Sequence, residues 1–185
     1  GLWLVYTVNE RNNEGNPFNT AVIAGSDGTK HGVYRKVHLF DTDFTKESDR
    51  MAAGSALFEP IDTPFGRIGL SICYDLRFPE VARFAATHGC QLLINPAAWV
   101  DGRLKAEQWR TLLSARAIEN EIFVAGLSRV DKGYIGQSAV FGPDGVMLAS
   151  GSVREELVAA RIDLSAIDGV RAAMPVLEHR RPELY

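Results

Sequence analysis

The sequence predicts an α/β protein whose strands form mixed sheets. Two observations carry this. Short apolar runs of strand length alternate with segments that repeat every three to four residues, and tight-turn signals tie several of the strands into hairpins. Hydrophobic residues make up 46% of the 185 and charged ones 23%, the composition of a folded domain with a sizeable core. Residues 1–185 read as one domain, with no low-complexity linker and no internal repeat.

Leu2 to Val8 alternates and reads as a strand, followed by a polar loop from Asn9 to Asn16 that Gly15 breaks. Asn19 to Gly25 is a second strand, Ser26-Asp27-Gly28-Thr29 a hairpin turn, and Gly32 to Val37 its returning partner. Leu57 to Asp62 and Arg67 to Ile72 form another pair through Thr63-Pro64-Phe65-Gly66. From Pro79 to His88 the spacing is helical: Val81, Phe84 and Ala85 share a face, and Gly89 stops the run. Cys90 to Ile94 reads as a buried strand ending at Asn95-Pro96. Leu104 to Asn120 is the longest helical pattern, with Trp109, Leu112, Leu113, Arg116 and Ala117 on one side. Ile122 to Leu127 is a buried strand, and Ala139 to Phe141 pairs with Val146 to Ala149 around Gly142-Pro143-Asp144-Gly145. Leu157 to Ile162 is expected as the last strand. Arg171 to Tyr185 reads as a basic, proline-interrupted tail that packs on another surface.

Charge and cysteine content narrow the function classes. The net charge is −3 with no basic block, which argues against a nucleic-acid partner. No apolar run nears the roughly 18 residues that span a bilayer. Two cysteines are too few for a disulfide framework, so a cytoplasmic location is expected. Scattered histidines and cysteines lack ligand spacing, so no metal is expected. The chain opens on an apolar run without an initiator methionine; the expectation is the C-terminal portion of a longer protein.

Cys73 is the most informative residue. In Gly69-Leu70-Ser71-Ile72-Cys73-Tyr74-Asp75-Leu76-Arg77-Phe78-Pro79-Glu80, an apolar run delivers a thiol into a strand-to-helix turn, where free backbone N–H groups favour a thiolate. Cys90, with no charge nearby, reads as an inert core thiol. Lys36 lies in Tyr34-Arg35-Lys36-Val37-His38-Leu39-Phe40, whose apolar neighbours imply burial. A lysine beside a thiol stabilises the thiolate and can hold the oxyanion of a tetrahedral intermediate, with the Tyr74 N–H as the second donor. Glu47 lies in the polar loop from Asp41 to Arg50. His38 is a weak candidate for a cysteine-histidine dyad, since it shares a strand face with Lys36. Trp99 either lines a pocket or packs, and Arg77, Arg103 and Arg129 read first as solvated or ion-paired side chains, each also able to hold an anionic group.

These motifs, with Glu47-Ser48, Gly89-Cys90-Gln91-Leu92-Leu93, Asn95-Pro96-Ala97, Trp109, Arg116-Ala117-Ile118-Glu119-Asn120 and Gly142-Pro143-Asp144-Gly145, resemble the nitrilase superfamily of carbon-nitrogen hydrolases. Pro175 and the closing Arg181 to Tyr185 resemble its omega-amidase-like branch. The resemblance implies a four-layer α-β-β-α sandwich that dimerises through its α faces, here lacking its N-terminal strands and helices. The chain would be the C-terminal two-thirds to three-quarters of one such domain. It implies hydrolysis of a small linear amide to carboxylate and ammonia through a thioester, with a Glu-Lys-Cys triad and no metal or organic cofactor. By position Cys73 is the nucleophile, Lys36 the oxyanion-stabilising cation and Glu47 the second glutamate that orients the lysine. The loop before Glu47 is several residues shorter than in the omega-amidases. The first triad glutamate has no counterpart here: Glu10 and Glu14 do not match it, and it is expected upstream of residue 1. The alternative is a non-catalytic truncated homologue that binds or assembles.

Overall fold

A computed structural model describes residues 1–184. Its first sheet has three antiparallel strands in the order β1 (Leu4–Glu10), β2 (Phe18–Ala24), β3 (Lys30–Arg35). The central strand, β2, is buried along Thr20 to Ala24, as its unbroken apolar run requires. The Asp27-Gly28 turn closes β2 onto β3, with Gly28 at φ +80°, a conformation that suits glycine. β1 runs two residues further than its apolar pattern. Glu10 reaches across the sheet to Arg35, which holds its carboxyl down to about 2, and it accepts the Thr20 hydroxyl.

The second sheet has six strands in the order β4 (Ile61–Thr63), β5 (Gly66–Leu70), β6 (Leu92–Ala97), β7 (Phe123–Ser128), β8 (Ala139–Phe141), β9 (Met147–Ser150). β5, β6 and β7 run parallel and the other neighbours antiparallel. This is the predicted mixture. Parallel neighbours need crossovers, and these are α1 (Pro79–Thr87) and α2 (Lys105–Asn120). Side chains alternate between two cores. Ile68 and Leu70 of β5 meet Ala21, Ile23 and Tyr34 of the first sheet, while Leu93 and Val124 turn the other way onto Ala85, Trp109, Leu113 and Ala117. The described residues thus stack sheet, sheet and helices, three layers of the expected four. The outer side of the three-stranded sheet presents Leu4, Tyr6, Val8 and Val33 to solvent.

Several boundaries differ from the sequence reading for physical reasons. β4 starts at Ile61, not Leu57, because Pro60 has no N–H to give a ladder. β6 runs through Pro96 to Ala97. Pairing with β5 stops at Ile94, so the missing Pro96 N–H faces a side where no strand remains to accept it. Leu157 to Ile162 is not a strand. β9 ends the sheet order, Leu157 is 94% exposed, and alternation without a neighbouring strand makes no ladder. A helix that the sequence reading missed, α3 (Ser165–Ala173), follows; it spans nine residues, opens without a side-chain cap and fully buries Ile167. The tail beyond it packs on its own domain. Val176 N–H donates to the buried Glu121 carboxylate at 3.2 Å, and Leu177 joins the helix-side core. The expectation for Tyr185 lies outside the described residues. Among those residues no helix is long and apolar enough to cross a membrane.

Candidate active site

β5 delivers Cys73 as the apolar run predicts. The strand ends at Leu70, the Ser71 N–H still donates to the Ile94 carbonyl, and a 3-10 turn over Cys73–Arg77 leads into α1. Cys73 itself sits at φ +48°, a left-handed conformation that costs a non-glycine residue about 1–3 kcal/mol and persists only where surroundings impose it. What imposes it is Asp75. Its carboxylate accepts the Ile72 N–H at 2.9 Å, and the Asp75 N–H donates back to the Ile72 carbonyl.

Lys36 follows β3 directly. Its N–H donates to the Asn19 carbonyl, and its own carbonyl accepts from Gly54. Only 2% of the lysine is exposed, and its Nζ lies 2.5 Å from Glu47 Oε2. The same carboxylate oxygen accepts the Phe40 N–H at 2.7 Å, while the Glu47 N–H donates to the Phe40 carbonyl. These reciprocal bonds fold the loop from Asp41 to Arg50 back on itself, so the short loop still carries Glu47 onto Lys36. His38 does not face Cys73. Its Nδ1 pairs with Asp75 Oδ1 at 2.8 Å, and its ring stacks on Phe78.

Cys73 lies where two spaces meet. One is a small, narrow pocket, lined also by Phe40, Tyr74, Arg77, Trp99 and Lys105. The other is a wider cleft that Asn19, Lys36, Glu47 and Arg129 reach. Tyr74 packs edge-on against Phe40 and Phe78. Trp99 both packs and lines the cavity: it is 4% exposed, leans on Trp109, and carries the Arg77 guanidinium 4.9 Å above its ring. Of the three candidate arginines only Arg77 lines the small cavity. Arg103 is exposed, and Arg129 pairs with Asp131.

One expectation is reversed. The turn does not by itself favour a thiolate, because burial pushes the Cys73 thiol up. Lys36 pulls the other way, while Glu47 and Asp75 add to the rise. Cys90, fully buried, is pushed up to about 12 by burial, in keeping with an inert core thiol. The sequence reading missed Lys105. It opens α2 and reaches over the Phe40 ring at 5.6 Å, but a lone lysine at a helix start reads as solvated.

Residues 1–172 match the carbon-nitrogen hydrolase family. The chain is 42% identical over 179 residues to the nitrilase and fragile histidine triad fusion protein NitFhit of Caenorhabditis elegans, a match spanning 91% of this chain and 40% of that one. To Omega-amidase NIT2 of Homo sapiens it is 39% identical over 181 residues, spanning 92% of this chain and 65% of the relative. Among solved structures, a carbon-nitrogen hydrolase from Helicobacter pylori superposes with a TM-score of 0.92 at 32% identity, over all of this chain and 70% of that one. A variant of an amidase from Nesterenkonia sp., which carries an acetamide moiety covalently on its active-site cysteine, does so with a TM-score of 0.85 at 27% identity, over all of this chain and 66% of that one.

Proposed function

Because the chain belongs to the carbon-nitrogen hydrolase family, in its omega-amidase-like branch, we propose that the protein hydrolyses a small linear amide, of the omega-amide type, to a carboxylate and ammonia through a thioester on Cys73. The observation that carries this reading is the left-handed elbow at Cys73 beside the buried Lys36–Glu47 pair. In the first half-reaction Cys73 Sγ gives up its proton and bonds to the amide carbon. The oxyanion takes hydrogen bonds from Lys36 Nζ and the Tyr74 N–H. The C–N bond then breaks, and the nitrogen leaves as ammonia with the transferred proton. Water adds to the thioester, the C–S bond breaks, and the thiol is restored. Glu47 is engaged by Lys36 and the Phe40 amide, so it orients the lysine. The proton acceptor is assigned to a further glutamate outside residues 1–185. The same reading takes residues 1–185 as part of one domain of a cytoplasmic homodimer.

Hydroxylamine trapping in the complete protein tests the thioester. Turnover of a linear amide with hydroxylamine present is expected to yield the hydroxamate, and the Cys73→Ala protein to yield none. Hydroxamate formation that survives Cys73→Ala overturns the assignment. Ammonia release absent from the unaltered protein, with Cys73 alkylated no faster than a free thiol, favours the non-catalytic homologue instead.

The small cavity also bears on the substrate. Arg77 donates to the neutral Gln108 side chain at 2.7 Å, and neither Arg77 nor Lys105 has an ion-pair partner among the described residues. Burial, then Arg77, lowers the Lys105 pKa, with the Cys73 charge opposing. Two cations held together without a counter-ion suit a carboxylate at the far end of the amide. Lys105→Met is expected to raise KM about tenfold for an amide bearing a carboxylate and to change kcat/KM for an uncharged amide by about twofold at most. Equal losses for both would assign Lys105 a structural role.

A further inference from the structure

The Asp75 carboxylate is completely buried, yet the chemistry above makes no use of it. It accepts four hydrogen bonds: from the Tyr34 hydroxyl at 2.7 Å, the Ile72 N–H at 2.9 Å, the His38 N–H at 3.2 Å and His38 Nδ1 at 2.8 Å. Three of these donors belong to the two residues that flank Lys36 at a distance of two. The fourth precedes Cys73. One buried charge therefore ties the segment carrying the lysine to the turn carrying the thiol, two segments about 40 residues apart in sequence.

Each donor is itself held. Burial, then Asp75, pushes the Tyr34 phenol far up, so it stays protonated as a donor, and its ring meets Phe58 edge-on. The His38 ring lies flat against Phe78 at 3.7 Å, inside the same turn. A carboxylate buried only to stabilise would be an expensive choice, since apolar residues of similar volume do as well or better. What a buried, fully satisfied charge adds is a fixed geometry.

We propose that Asp75 is a positioning residue: through Tyr34 and His38 it fixes the Lys36 ammonium against the Cys73 elbow. This rests on Cys73 and Lys36 acting as a pair, but its test does not need turnover. The charged groups around Cys73 are Lys36, Glu47 and Asp75 and, lining the small pocket with it, Arg77 and Lys105. Asp75 as a bare charge raises the thiol, so removing that charge alone would move thiol ionisation to lower pH. Loss of the Lys36 placement would move it to higher pH. The two roles therefore predict opposite signs.

The experiment is the pH profile of Cys73 alkylation by iodoacetamide in the complete protein, read site by site by mass spectrometry. Asp75→Asn is expected to shift the profile upward by about one pH unit, slowing alkylation about tenfold at neutral pH. Little of that shift should remain in a Lys36→Met background. Tyr34→Phe, which removes one donor and keeps the ring, is expected to give a smaller shift of the same sign, and it serves if Asp75→Asn does not fold. A shift to lower pH, no shift, or an equal shift with Lys36 absent overturns the proposal. Where the complete protein turns over an amide, Asp75→Asn should lower kcat more than it raises KM. An unaltered protein without turnover that still shows the coupled alkylation shift would reject the amidase reading and keep this one.

Discussion

Lys36→Met is expected to lower ammonia release by the complete protein about 10²- to 10³-fold, the usual effect of losing one oxyanion donor. It should also move Cys73 alkylation to higher pH. Both follow from one geometry. Burial already pushes the thiol up, and Lys36 is the cation that pulls it down, with a hydrogen bond to the Ala98 backbone acting in the same direction. Without the ammonium, less thiolate is present at neutral pH and the oxyanion loses its charged partner. Glu47 is 18% exposed and keeps the Phe40 N–H, but it would then sit beside the thiol with no cation. Breaking a buried pair on one side costs about 3–5 kcal/mol of stability, so thermal unfolding must be followed alongside. Lys36→Met with Glu47→Gln removes the stranded charge and should recover part of the stability and none of the turnover. A single Lys36→Met protein that unfolds normally and releases ammonia at the unaltered rate would remove Lys36 from the mechanism.

How much of this was legible in the chain depends on how local each cause is. β2, the Asp27-Gly28 turn, α1 and α2 announce themselves, because an apolar run, a positive-φ glycine or a repeating face lies within a few consecutive residues. Leu157 to Ile162 misleads because alternation says nothing about whether a strand lies alongside. α3 is short and opens without a side-chain cap, so Ile167 and Val170 do not stand out from the turn before them. The site divides in the same way. Cys73 is visible from its own turn, and the burial of Lys36 from its apolar neighbours. Its 2.5 Å contact with Glu47 depends on how the intervening loop folds back through Phe40. The role of Asp75 is hidden, since three of its four hydrogen bonds come from residues 34 and 38. The thiol's displacement is hidden for a further reason: it is a balance of burial, Lys36, Glu47, Asp75 and the Ala98 backbone, most of them distant in sequence from the turn.

Trp109→Ala is expected to be the most destabilising substitution in the helix-side core. Trp109 is fully buried on α2, and the sheet is shaped to receive it. At Gly126 of β7 a Cβ would come within 2.5 Å of its ring and within 2.6 Å of Leu113, so strand and helix approach to a distance that only glycine allows. Truncating a buried tryptophan to alanine costs about 3–5 kcal/mol in transfer and cavity terms. Here two further losses act in the same direction. The indole N–H donates to the Gln137 carbonyl at 3.0 Å, holding a residue at φ +56°, and that carbonyl would be left without its partner. The ring also backs Trp99, on which Arg77 lies. For a chain of this length each kcal/mol lowers the midpoint by about 2–4 °C, so a fall of about 10 °C is expected in a thermal scan. The effect should reach the cavity: with Trp99 free to move into the void, Arg77 loses its platform, and KM for a carboxylate-bearing amide should rise more than for an uncharged one. A midpoint lowered by less than about 3 °C would mean that α2 and β7 close over the gap. In that case Gly126→Ala, whose Cβ also meets Leu113, should be as poorly tolerated in the Trp109→Ala protein as in the unaltered one.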